Sequence, residues 1–215
     1  MTEAVQKYEG AGTVAPLGYN GQQFSSDDVK LSRVYIAQQL SQAVDFGIAK
    51  KGDIYVAAGA DDPEAIVIGN EKDSVLFHVL GMPFKRKSLR TGNELQSWDY
   101  NDPAAPSEAW TTYDYTIVLP EFDTELPYKF LPSRSNTNTC RRLNMQLLKA
   151  ARLGPVYNLA FRMTTEQRQK DANKWHIAVV KQVEATHEGI AVAESLVDLV
   201  GAEAAPQPVH EGPGI

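Results

Sequence analysis

Short runs of β-branched and aromatic residues, separated by turn residues, fill most of residues 31–119, and this spacing constrains the fold more than any other feature of the chain. Leu31-Ser32-Arg33-Val34-Tyr35-Ile36 reads as a first strand. Asp53-Ile54-Tyr55-Val56-Ala57 reads as a second, after the turn signal Lys51-Gly52, and Ala65 to Ile68 as a short third. Val75 to Met82 alternates poorly and reads as a strand buried on both faces. Thr111 to Leu119, TTYDYTIVL, is a longer strand rich in β-branched and aromatic residues. Five or so short strands with turns between them imply a sandwich or a small barrel.

The later part of the chain changes period. Thr137 to about Leu153 is helical, with Asn136 or a neighbour as cap and Gly154-Pro155 as the stop. Strands are expected over Val156–Thr164 and Lys174–Val183, joined by the polar loop TEQRQKDAN. A last helix runs from His187 to Val200, with Ile190, Ala193, Leu196, Val197 and Val200 at helical spacing. The expected organisation is a flexible lead-in over 1–28, one domain over 29–200 and a disordered tail over 201–215. The fold class is α+β, mainly β.

Composition removes several function classes. Cys140 is the single cysteine, which excludes an intramolecular disulfide and any cysteine metal cluster. No apolar run reaches membrane-spanning length, and MTEAVQKYEGAGTVAP has no signal-peptide pattern, so a cytoplasmic protein without a membrane partner is expected. The net charge is −6, yet it is sorted by position. Residues 129–181 hold 11 Lys and Arg against Glu166 and Asp171, while 182–215 hold six acids and no Lys or Arg. A local excess of positive charge attracts a polyanion whatever the total charge.

Three basic constellations follow. On the helix, Arg141, Arg142, Lys149 and Arg152 project within about one quadrant at about 100° per residue, while Leu143, Leu147, Leu148, Ala150 and Ala151 cover much of the other side. No acidic residue lies between Lys129 and Phe161 to neutralise them. A second cluster, Lys85-Arg86-Lys87 with Arg90, follows Phe84 and precedes Trp98 and Tyr100. Cations interleaved with aromatics suit single-stranded nucleic acid, because cations track phosphates while aromatic faces stack on unpaired bases. A charged turn near core aromatics is the plainer account of the same residues. The third group is Arg168, Lys170 and Lys174 leading into Trp175, where the tryptophan is equally a packing residue.

Catalytic patterns are weak. Asp61-Asp62-Glu64 and Glu121-Asp123-Glu125 have the spacing of hard-cation ligands, but they sit beside prolines in expected loops. His78 lies in an apolar strand as a core histidine, and no glycine pattern for phosphate is present. Cys140 stands near a helix start among arginines, a setting that lowers a thiol pKa, with no base beside it in sequence.

The run VKLSRVYIAQQLSQAVDFGIAKKGDIYV resembles the opening of the tailed-bacteriophage single-stranded DNA-binding proteins, through Gln39-Leu40-Ser41…Val44 and Gly47…Ala49…Gly52-Asp53. The stretch LPYKFLPSRSNTNTCRRLNMQLLKA, followed by an aromatic strand and its hairpin partner, is similar as well. The resemblance covers about residues 29 to 184. It implies an OB-fold-like small antiparallel barrel with one basic amphipathic helix and a C-terminal helix. It also implies non-catalytic coating of single-stranded DNA in phage replication or recombination, in the host cytoplasm, without a cofactor. Homo-oligomers, and replication or recombination partners reached through the acidic C-terminal region, are compatible with that role. The DNA-binding residues expected are Lys85, Arg86, Lys87, Arg90, Trp98, Tyr100, Arg141, Arg142, Lys149, Arg152, Lys174 and Trp175. Two rivals stand beside it: a phage factor that binds a host enzyme, docking through the helix at 187–200, and a metal-dependent nuclease built on the two carboxylate groups.

Overall fold

The computed structural model describes residues 31–197 apart from Asp61, Gly92, Asn93 and Ser133, and over 90–95 it describes the strand backbone but not the side chains. The expected lead-in over 1–28, the tail over 201–215 and the last turn of the C-terminal helix lie outside the described residues.

Arg33–Ile36 (β1) pairs antiparallel with Ile54–Ala57 (β2), which pairs with Ile66–Gly69 (β3). One helical turn, Gln42–Asp45 (α1), lies between β1 and β2. Val75–Val79 (β4), Phe84–Thr91 (β5), Glu94–Asp99 (β6), Trp110–Leu119 (β7) and Asp123–Phe130 (β8) follow. Then come the helix Thr137–Ala150 (α2), the hairpin of Ala160–Lys170 (β9) and Asn173–Val183 (β10), and the helix His187–Val197 (α3). The strands form a sheet in the order β10-β9-β4-β7-β8-β1-β2-β3, curled into a half-barrel, with β5 and β6 off that path.

The chain is mainly β, as its patterning predicts, but several expectations need correction: the helix ends at Ala150 rather than about Leu153, and Val156–Asn158 form a 3-10 turn after Pro155 instead of the start of a strand. The sheet is not wholly antiparallel, because β1 and β8 run parallel, with Val34 opposite Phe130. The segment TEQRQKDAN is not a loop. Most of it belongs to β9 and β10, which turn over Asp171-Ala172 with Asp171 at φ 55. Both faces are exposed at that end, so no apolar alternation marks it, and polar pairs such as Lys174 opposite Gln169 carry the register. The strands β5, β6 and β8 escape composition because they are rich in charge, although β8 buries Tyr128 and Phe130.

The core lies on the inner face of the half-barrel. Val34, Ile54, Val56, Phe77, Ile117 and Phe161 meet Cys140, Leu143 and Leu147 from the buried stripe of α2. The Tyr115 hydroxyl donates to Asn144 Oδ1 at 2.7 Å and so fixes the helix over β7. Asn136 occupies the N-cap position of α2, but its side chain makes no cap hydrogen bond there. Its Oδ1 instead accepts from the Ala178 N–H at 2.6 Å. On the other face, Ala193 and Leu196 of α3 cover Leu80 and Val118. β4 is therefore buried on both sides, as its poor alternation predicts.

Side chains, rather than a further ladder, close the gap beyond β10. Gln38 donates to the His176 carbonyl and accepts from its N–H, both at 2.9 Å. Thr139 donates to the Ala178 carbonyl at 2.8 Å, and Thr165 donates to the Gly52 carbonyl at 2.6 Å. The bonds to His176 and Ala178 occupy edge groups of β10 that would otherwise invite another strand. Gly52 sits at φ +90, where a Cβ would stand 2.8 Å from the His176 ring, so both conformation and space require glycine.

Candidate nucleic-acid interface

β7 is long because it serves two sheets. Its second half pairs with β8 and β4 inside the half-barrel, and its first half pairs with β5. Gly81-Met82-Pro83 interrupt what would otherwise be one strand from β4 into β5. The result is a three-stranded arm, β6-β5-β7, that extends the barrel's inner face.

The pleat sorts charge between the two faces of this arm. Alternate residues point to opposite sides of a strand. Lys85 pairs with Tyr113, and Lys87 with Thr111 and Trp98, so these side chains share the face that carries Tyr115 into the core. Tyr100 lies on it as well: the Lys85 ammonium is 3.4 Å from its ring centroid and that of Lys87 is 5.2 Å away. Interaction with the Lys85 ammonium, as hydrogen-bond donor and as charge, holds the Tyr100 phenol below its ordinary pKa, with a smaller effect from Lys87. Among the described side chains of this face there is no carboxylate.

Asp99 and Asp114 lie on the reverse. Arg86 pairs in register with Asp99 and Thr112, and its guanidinium is 4.0 Å from Asp114. Lys129 reaches the same carboxylate at 3.7 Å and donates to Thr116 Oγ1 at 3.1 Å. The Ser88 hydroxyl bonds those of Ser97 and Thr112 at 3.0 and 2.9 Å. Arg134 stacks over Trp110 at 5.6 Å. The reverse face is thus largely self-neutralised.

The structure therefore brings together Lys85, Lys87, Trp98 and Tyr100, and adds Tyr113. Arg86 is turned away from them, and the backbone of Arg90, in the same strand as Arg86, pairs with Leu95 of β6. Tyr113 escapes sequence reasoning because its neighbour Lys85 is fixed by long-range register; the alternation of Tyr113 with Tyr115 is its one local signal. Arg141, Arg142 and Lys149 are exposed on the outer side of α2 and Arg152 is exposed in the turn that follows it, and none has an ion-pair partner among the described residues. Met145 lies among them, and so does Leu148, which is exposed on the basic side rather than on the apolar side expected of it, because its helical phase lies within a fraction of a turn of Arg141 and Arg152. Lys174 and Trp175 point to opposite faces of β10, with the half-buried Trp175 opposite Arg168.

The other candidates have structural employment. Asp62 accepts the backbone N–H groups of Ala58 and Glu64, Asp123 accepts the Tyr128 hydroxyl, and Glu121 pairs with Arg162 at 2.6 Å. No group of three or more metal-binding side chains forms among the described residues. His78 is buried, with Nδ1 2.8 Å from the Tyr157 carbonyl, and burial lowers its pKa. Cys140 is buried too. Burial pushes its thiol up to about 11, so the electropositive setting read from its neighbours does not activate it. No described helix is long and apolar enough to cross a membrane. Comparison with models of known families, with curated proteins and with solved structures returns no match.

Proposed function

We propose that this protein binds single-stranded nucleic acid through the inner face of the β6-β5-β7 arm, as a non-catalytic, OB-type strand-coating protein of the tailed-phage kind. One observation carries the reading. Two lysines share one sheet face with Trp98, Tyr100 and Tyr113. Cations on such a face contact phosphates, and aromatic rings beside them stack on unpaired bases whatever the sequence. A duplex keeps its bases stacked on one another, so this arrangement discriminates for the single strand. The Lys85–Tyr100 contact is exposed and weaker than base stacking, so a base displaces the ammonium from the ring and frees it for a phosphate. The employment of Asp62, Glu121 and Asp123 in turns and pairs favours this reading over a nuclease.

The test is fluorescence anisotropy with a labelled oligonucleotide, single-stranded against duplex, at low and moderate salt. Salt-sensitive binding to the single strand is expected, with the duplex bound far more weakly. Absence of single-strand binding at low salt, or equal affinity for the duplex, refutes the assignment.

A further inference from the structure

Two patches of opposite charge, each with an apolar centre, stand on different parts of the surface. One is the outer side of α2. Met145 and Leu148 are 54% and 57% exposed there, set among Arg141, Arg142, Lys149 and Arg152. Such exposure on a helix whose other side is already buried marks a contact surface rather than a solvated one. The second is a pocket of about 270 Å3 where the β2–β3 and β7–β8 turns meet. Val56, Ile66, Phe122 and Tyr128 line it, with Asp62 and Glu64 at its rim. Ile66 is 53% exposed and Phe122 38%. The start of β8 adds Asp123 and Glu125 nearby, so this part of the surface is negative.

We propose that these patches dock on each other between copies of this chain, head to tail, with α2 of one copy seated on the pocket of the next. Charge complementarity selects this occupant: the helix presents Arg141, Arg142 and Lys149, with Arg152 just past its end, and no acid, and the pocket is lined by carboxylates together with apolar side chains. The same chain cannot satisfy itself. Cys140, Leu143 and Leu147 hold the inner side of α2 in the core, and Asn144 and Thr139 bond β7 and β10. The basic face therefore looks away from its own body. Met145 supplies a flexible side chain that adapts to a shallow pocket. Because the patches differ, the contact is heterologous, and it propagates into a chain or closes a ring rather than stopping at a two-fold dimer. The proposal does not rest on nucleic-acid binding, although a propagating contact suits a protein that coats a strand.

The experiment is sedimentation velocity on the full chain, without nucleic acid, over rising protein concentration at moderate salt. The expected mass climbs past twice the 23.7 kDa of one chain. A helix variant, Met145→Glu with Leu148→Glu, and a pocket variant, Glu64→Lys with Ile66→Lys, each remain monomeric. Mixed in equal amounts, they retain one good helix and one good pocket, so the mass doubles and goes no further. If the helix variant fails to fold, Arg142→Glu with Lys149→Glu, confined to exposed side chains, replaces it; if the pocket variant fails, Glu64→Lys alone, at an exposed side chain, replaces it. A wild type that stays monomeric at every concentration, growth that halts at a dimer, or variants that assemble like the wild type overturns the docking. A monomeric wild type that still binds the oligonucleotide overturns the docking alone and leaves the arm assignment intact.

Discussion

Replacing Lys85 and Lys87 together by Ala separates charge contacts from stacking on the arm. Both ammonium groups lie on the inner face with the Tyr100 ring, 3.4 and 5.2 Å from its centroid. Each phosphate neutralised on a single strand contributes about −0.7 to the slope of log affinity against log salt. Losing two contacts therefore makes the slope shallower by about 1.4. Between about 50 and 200 mM salt that difference amounts to about sevenfold, so the variant's deficit shrinks as salt rises. Tyr100→Ala behaves otherwise. It removes a stacking surface, lowers affinity by about 5- to 150-fold and leaves the slope unchanged, because stacking releases no counterions. Arg86→Ala serves as the internal control. Its guanidinium faces Asp114 on the reverse of the sheet, so its removal leaves the slope in place. Anisotropy titrations at four salt concentrations measure all three. The reasoning fails if the lysine variant keeps the wild-type slope, or if Arg86→Ala shallows it as much.

Three further outcomes follow from the packing. Gly52→Ala places a Cβ 2.8 Å from the His176 ring at φ +90 and should cost about 1–3 kcal/mol; an unchanged Tm in calorimetry would show that the β10 closure contributes nothing. His78 is held neutral below its ordinary 6.5 by burial, so the unfolded chain takes up a proton that the folded chain refuses. Stability should accordingly decline as pH falls through 6.5 toward the lowered folded value, and His78→Asn, which keeps a donor toward Tyr157, should flatten that part of the Tm profile; identical profiles would contradict it. The Cys140 thiol, buried and raised to about 11, should react with a thiol reagent at pH 8 only as fast as the chain opens. Immediate stoichiometric labelling of the native protein would place it at the surface instead.

Local chemistry alone determined a good deal here. The apolar stripe of Leu143 and Leu147 opposite four cations is a property of helical period, so α2 and its exposed basic side were legible without coordinates. The β-branched runs at Ile54–Ala57 and Trp110–Leu119 were legible too, since they form half-buried or buried strands. Where neither face of a strand is buried, no alternation exists to be read. That is why β5, β6 and the outer end of the β9–β10 hairpin looked like charged turns and a loop. The contiguity of Lys85, Lys87, Arg86 and Arg90 in sequence said nothing about their division between two faces. Pairing with β7 decided it, by setting Lys85 opposite Tyr113 and Arg86 opposite Thr112 and bringing Arg86 within reach of Asp114. Burial likewise decided Cys140, whose basic sequence neighbours point outward while the thiol points into the core. Sequence determines what each segment prefers within a few residues; the face on which a charge emerges, and the partner it meets there, depend on register between segments that only tertiary packing fixes.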